Sequence, residues 1–158
     1  MILLRTDGSR ESINLRVLDA DEAPSGAAWE AVGLDHPALA EAESPTGLTL
    51  ANDVNVETLD CDPQRFAFIL LDFPAFTDGR AYSQARVLSE QLGYQGTLVA
   101  GGELLQDQAH YLKRCGFNAF ALADAEAADR LAQGFNDFTA AYQATSRHEL
   151  PVYRRRRA

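Results

Sequence analysis

Residues 66–73 read FAFILLDF, an apolar run broken by a single acid. A strand with one wet face alternates apolar and polar side chains. A strand apolar throughout must be covered on both sides, which is the habit of parallel sheets. Three more runs of this kind surround it: GLTLA at 47–51 behind the turn signal SPTG, TLVAG at 97–101 after a glycine, and AFALA at 119–123 after the turn GFN. Helical spacing fills the gaps between them, so the expected fold is α/β, with a mostly parallel sheet of about four strands and helices on both faces.

The helices are read from spacing. Ala81, Ala85, Leu88 and Leu92 recur at four, three and four, and Gly93 supplies the stop. Leu105, Gln108, Leu112 and Cys115 line one side of a second helix ended by Gly116. Ala128, Leu131, Phe135, Phe138 and Tyr142 alternate three and four over four turns. Such an aromatic stripe is the mark of a core face, and packing can absorb the cost of Gly134, about 1 kcal/mol relative to alanine.

Outward from this framework the pattern is less regular. ILLRT (2–6) and LRVLD (15–19) flank DGSRESIN and could pair as a hairpin. Residues 19–47 carry three prolines, acids and small residues, and read as a loop with short helical pieces around Trp29. The expected organisation is one α/β domain over residues 1–146. Residues 1–46 form an irregular amino-terminal subregion, 47–146 carry the β/α repeats, and 147–158 form a basic tail.

Length and composition exclude several classes. A chain of 158 residues with 46% hydrophobic and 23% charged residues is one globular domain's worth, enough to bury about two-thirds of its unfolded surface. No apolar run reaches the length of a membrane span. The start MILLRTDGSRES has neither the basic flank nor the apolar core of a signal peptide, so the cytoplasm is the expected compartment. Cys61 and Cys115 are the two cysteines, too few for a disulfide framework, a four-cysteine zinc site or an iron–sulfur cluster held by this chain alone. The net charge is −9. Residues 147–158 hold five arginines against one glutamate, a net of +4 that leaves −13 for residues 1–146. The body repels polyanions, which argues against nucleic acid as a partner. The tail is either a solvated end or a docking arm for an acidic surface.

The segment after the central run, DFPAFTDGRAYSQAR at 72–86, is the candidate site. Ligands of parallel α/β sheets gather beyond the carboxyl ends of the strands. Asp72 closes the strand, Pro74 stops ladder pairing, and Thr77 or Asp78 can cap a helix begun by Gly79 and Arg80. Free N–H groups at that helix start, with Arg80 beside them, would seat sulfite, sulfate, phosphate or a carboxylate. Tyr82 and Arg86 share one helix face, and Ser83 lies between them. The plain alternative is a capping turn whose Asp and Arg satisfy each other. At the next strand end, Gly101 and Gly102 permit close backbone approach, followed by Glu103, Asp107, Gln108, His110 and Arg114. Asp107, His110 and Arg114 could be acid–base equipment or a solvated helix side, and Asp72 and Asp107 are the catalytic candidates. His36, His110 and His148 lack ligand spacing, so no metal is expected. Neither a dinucleotide fingerprint nor a phosphate-binding loop occurs, and no cofactor is expected.

Three blocks carry a family resemblance: LLDFPAFTDGRAYSQARVLSEQLGYQGTL (70–98), GELLQDQ (102–108) and KRCGFNAF (113–120). They resemble the signature blocks of a bacterial family, domain of unknown function 934, whose members are described as oxidoreductases of sulfite reduction. The resemblance is close over residues 66–122. Asp72, Pro74, Phe76, Thr77, Asp78, Gly79, Arg80, Tyr82, Ser83, Arg86, Asp107, Gln108, Arg114, Cys115, Gly116 and Phe117 stand at matching positions. Ala81 replaces a usual glycine, and Glu103 and Asn118 replace usual aspartates. The resemblance implies a role in sulfite reduction, yet the chain lacks the carrier-binding motifs of a self-sufficient reductase. The expectation is an accessory protein of assimilatory sulfite reduction with sulfite reductase as partner. Its alternatives are an enzyme acting on a small anionic substrate, with Arg80 as clamp, and an interaction module without catalysis.

Overall fold

A computed structural model of the chain describes residues 1–40 and 46–137. Its centre is one sheet of eight strands in the order β2-β1-β8-β7-β6-β5-β4-β3. All four expected strands are present: β5 (Gly47–Leu50), β6 (Phe68–Phe73), β7 (Thr97–Gly102) and β8 (Ala119–Leu122). They run parallel, β6 between β5 and β7 and β8 beyond β7.

The sheet has eight strands rather than four because the first third supplies the rest: β1 (Ile2–Arg5), β2 (Arg10–Ser12), β3 (Arg16–Leu18) and β4 (Glu30–Val32). A hairpin does form at the amino terminus, but β1 pairs antiparallel with β2, not with the run around β3. β3 instead lies on the opposite edge of the sheet, parallel to β4. Asp7 sets the turn by accepting from the Ser9 N–H (2.8 Å) and hydroxyl (2.6 Å). β4, expected as loop, is fully buried. Its Glu30 takes hydrogen bonds from the Ser25 hydroxyl (2.7 Å) and N–H (2.8 Å), which hold the carboxyl below its ordinary range. A buried charge inside a three-residue strand has no periodicity to announce it.

Helices were expected on both faces. The three α-helices among the described residues pack on one: α1 (Arg80–Arg86), α2 (Ala109–Cys115) and α3 (Ala125–Gln133). With the turn that follows α1, they bury Ala81, Ala85, Leu88, Leu112, Cys115, Ala128 and Leu131 against Leu4, Leu48, Leu50, Ile69, Leu71, Phe73, Leu98 and Phe120. Each fully buried large apolar side chain contributes about 1.5–3 kcal/mol, so this face holds most of the stability. The other face, with Leu3, Phe68, Leu70, Val99 and Ala121, gathers a smaller cluster against which Leu15 and Trp29 pack.

The apolar stripes break where local geometry changes. A π-helical turn, Val87–Gln91, follows α1 and gives a bond from Leu92 N–H to the Val87 carbonyl. This wider turn rotates Leu92 off the stripe, and it is exposed. Gly93 ends the segment as expected. Leu105, expected on the buried side of the second helix, precedes a 3-10 turn at Gln106–Gln108 and is also exposed. α3 does not run through Gly134 but tightens there into a 3-10 turn, Gly134–Asn136. A side chain at Gly134 would collide with the Gln106 carbonyl, so close packing, and not tolerance of a weak helix former, explains this glycine. Phe138, Tyr142 and the basic tail lie outside the described residues. No helix among the described residues is long and apolar enough to cross a membrane.

Candidate functional site

The carboxyl ends of β6 and β7 meet at the register pair Phe73 and Gly102. Gly102 adopts φ +93°, and a Cβ there would strike the Phe73 carbonyl. Glycine is thus required for the backbone to turn here. Directly after it, the Glu103 N–H donates to the Phe73 carbonyl at 2.9 Å.

Glu103 and Gln108 then tie the two strand-to-helix loops together. The Glu103 carboxylate accepts from the Phe76 N–H (3.4 Å), and the Gln108 amide donates to the Phe76 carbonyl (2.9 Å). The Gln108 side-chain oxygen also accepts from the Leu105 N–H (3.0 Å). The clamped loops hold Phe76, Leu105 and, from α2, Tyr111 in solvent, each 43–49% exposed. An aromatic ladder anchors the group to the core. Phe117 lies 5.8 Å from Phe73, Phe73 5.1 Å from Tyr82, and Tyr82 4.9 Å from Tyr111.

At the helix start Asp78 and Arg80 satisfy each other. Asp78 Oδ1 accepts from the Arg80 N–H at 3.2 Å, while the Arg80 guanidinium spans both Asp78 oxygens through Nε (3.0 Å) and Nη2 (2.7 Å). Asn52 adds a donor at 2.6 Å. Arg80 holds the Asp78 carboxyl down at about 2. An anion approaching Arg80 therefore meets a guanidinium whose Nε–Nη2 edge is already bonded to a carboxylate. Thr77 and Ser83 are exposed beside this pair.

On the outer helix surface Arg86 pairs with Glu90 at 3.2 Å, and Arg114 is half-buried on α2. Burial, with the charges of Cys115, Tyr111 and Asp107, pushes the Tyr82 phenol up to about 12, so it is a neutral donor and not a base. Burial likewise raises the Cys115 thiol, against the pull of its Tyr111 hydrogen bond and of Arg86 and Arg114. A protonated, buried thiol is a poor nucleophile.

The two catalytic candidates are not brought together. Asp107 stands near Tyr82 on the helix side. Asp72 faces a separate cleft of about 630 Å³ with Asp35 and Asp53. Among the described residues no three His, Cys, Asp or Glu side chains could hold one metal ion. Thr77, Asp78, Gly79, Arg80, Tyr82, Glu103 and Gln108 do gather at one edge. Asn118 is structural: its amide accepts from Leu98 N–H (2.8 Å) and donates to the Gly96 carbonyl (3.2 Å).

Four residues escaped the sequence reading. Phe76 entered it as a family position, Leu105 as core, and Tyr111 not at all. Gln84 is buried, and its amide donates to the carbonyls of Ala51 (2.8 Å) and Val54 (2.9 Å), fastening the loop after β5 to α1. Its signal was available, since Gln84 falls on the Ala81–Leu88 stripe, where a polar residue needs partners.

No curated protein and no solved structure matches the chain. A family model does match residues 47–153, which takes in both clamped loops and all three helices. The chain accordingly belongs to the family described as "Bacterial protein of unknown function (DUF934)".

Proposed function

We propose that this protein acts by docking a protein partner through the clamped loops, and that the partner is the sulfite reductase of assimilatory sulfite reduction in the cytoplasm. The carrying observation is the trio Phe76, Leu105 and Tyr111 left in solvent, the loops bearing the first two being tied by hydrogen bonds of Glu103 and Gln108 and the third packing on Tyr82. Exposed aromatic side chains with arginines near them, here Arg86 and Arg114 by Tyr111, are the composition of interface hot spots. The pathway rests on the family resemblance of these same loops.

A small-anion seat at Arg80 is the weaker reading, because Asp78 already occupies the guanidinium fork. An oxidoreductase working alone is weaker still: Tyr82 and Cys115, the polar groups under the exposed trio, are both held in their neutral forms.

The test is co-purification with the host's sulfite reductase. The unaltered protein should retain a reductase subunit, and a Phe76→Ser, Leu105→Ser, Tyr111→Ser variant should lose it while remaining folded. A protein that retains no subunit, and whose deletion leaves growth on sulfate as sole sulfur source unchanged, overturns the reading. Sulfite or phosphate binding by calorimetry, lost in Arg80→Ala, would restore the anion seat.

A further inference from the structure

The surface that the clamped loops leave in solvent has an occupant within reach in the chain itself. The 3-10 turn Gly134–Asn136 sits on the turn bearing Gln106, where a Cβ at Gly134 would strike the Gln106 carbonyl and crowd the Ala109 Cβ. The described chain ends one residue later, at Asp137, so residues 138–158 set out from beside Leu105, the neighbour of Gln106 in sequence. The distance to cover is short. α2, which carries Tyr111, has seven residues and is about 10 Å long, and Phe76 is tied to Gln108 at its start. Residues 138–153 reach up to roughly 50 Å when extended.

Segment and surface match in character. Residues 138–153 read FTAAYQATSRHELPVY, with Phe138, Tyr142, Leu150, Val152 and Tyr153 as large apolar side chains and one arginine against one glutamate. α3 ends at Gln133, so helical spacing no longer assigns Phe138 and Tyr142 to the core face of Leu131 and Phe135. Around the exposed trio the charges are of both signs, Glu103 and Asp107 on the loop and Arg86 and Arg114 by Tyr111. A neutral apolar segment meets no repulsion there, whereas the arginine run at 154–157 finds no acidic field of a single sign to bind. The family match divides the carboxy terminus at the same place: it takes in the loops and residues 138–153 and stops before the arginine run. We propose that residues 138–153 seat their aromatic side chains on the surface of Phe76, Leu105 and Tyr111 of the same chain, and that a docking partner must displace them. On so short a tether the effective concentration is in the millimolar range, so even a weak apolar contact is populated. The contact belongs to the chain alone; its consequence, competition with a partner, rests on the docking reading above.

Photocrosslinking of the full chain tests the contact without any partner. p-Benzoylphenylalanine in place of Tyr111 should join residues 138–153 of its own chain about tenfold more than the same group in place of Val17, an exposed side chain on β3. Tyr142→Ser should lower that yield severalfold, and replacement of Arg154, Arg155, Arg156 and Arg157 by glutamine should leave it within about twofold. Circular dichroism checks that each variant is folded, and Tyr153→Ser serves where Tyr142→Ser is not. Equal yields from positions 111 and 17, crosslinks between two chains rather than within one, or a yield that falls with the arginines and not with the aromatics, overturns the proposal. Competition is read by co-purification, where Tyr142→Ser should retain more sulfite reductase than the unaltered chain; equal retention overturns the competition. Crosslinks to residues 138–153 with no reductase retained by either chain uphold the seat and defeat the docking reading, whereas retained reductase without those crosslinks defeats the seat and leaves the docking reading standing.

Discussion

The clamped loops and the acidic cleft occupy the same carboxyl edge of one sheet and are built on opposite plans. At the loops after β6 and β7, polar side chains are consumed in holding the backbone, and apolar ones are left in solvent. At the cleft over β3 to β6, apolar side chains form the floor, and the carboxylates of Asp35, Asp53 and Asp72 are exposed around it. The first plan spends hydrogen bonds to present a shape, and the second keeps charge available. The family match covers the loops entirely and the cleft in part, since it begins at residue 47, after Val17, Gly33, Leu34 and Asp35 of the cleft but before Asp53 and Asp72.

The contrast can be broken most severely from below. Phe73 is fully buried and carries the ladder from Phe117 to Tyr82. Phe73→Ala should cost about 3–5 kcal/mol in denaturant unfolding and collapse the loop presentation. A loss under 1 kcal/mol would mean that the ladder does not anchor the loops.

Gln84 joins the two regions, since it reaches from α1 to the loop bearing Asp53. Gln84→Ala strands the Ala51 and Val54 carbonyls and should cost about 1–3 kcal/mol. Amide exchange in residues 51–54 should rise more than in 103–108, and the reverse order would remove Gln84 as the link.

Acid should loosen the clamped side of the Asn52–Asp78–Arg80 contact. The folded Asp78 carboxyl sits near 2 against an ordinary 3.8, a depressed value. Its stabilisation is therefore fully present above the ordinary value and disappears as pH falls through about 2. The stability gap between the protein and Asp78→Asn should be steady above about pH 5 and close between pH 4 and 2. A gap independent of pH there would show the pair to be without energetic weight, as many surface pairs are.

The smallest effect on folding should come from the residues with the largest effect on docking. Phe76→Ser and Leu105→Ser should change stability by less than about 0.5 kcal/mol, because solvent already reaches both side chains. A melting temperature several degrees lower would make them structural and remove the contrast on which the docking proposal stands.

The sequence by itself determined the parallel centre. The runs at 47–51, 66–73, 97–101 and 119–123 are apolar on both faces, and that pattern has few solutions other than a covered parallel sheet. It also determined the caps and stops, because Asp78, Gly93 and Gly116 act within a few residues of themselves. Three things waited for the tertiary structure. The outer strands β2, β3 and β4 have three residues each, too short for a pattern of their own, and gain their identity from the strands they pair with. Leu92 and Leu105 were drawn out of the core by a π turn and a 3-10 turn that hydrophobic spacing does not encode. The separation of Asp72 from Asp107 follows from the pleat. Asp72 sits one residue from Phe73 and thus on the opposite face of β6, while Asp107 precedes a helix packed on the Phe73 side. Local signals fix what a residue can do, and only the path of the whole chain fixes which residues it can do it with.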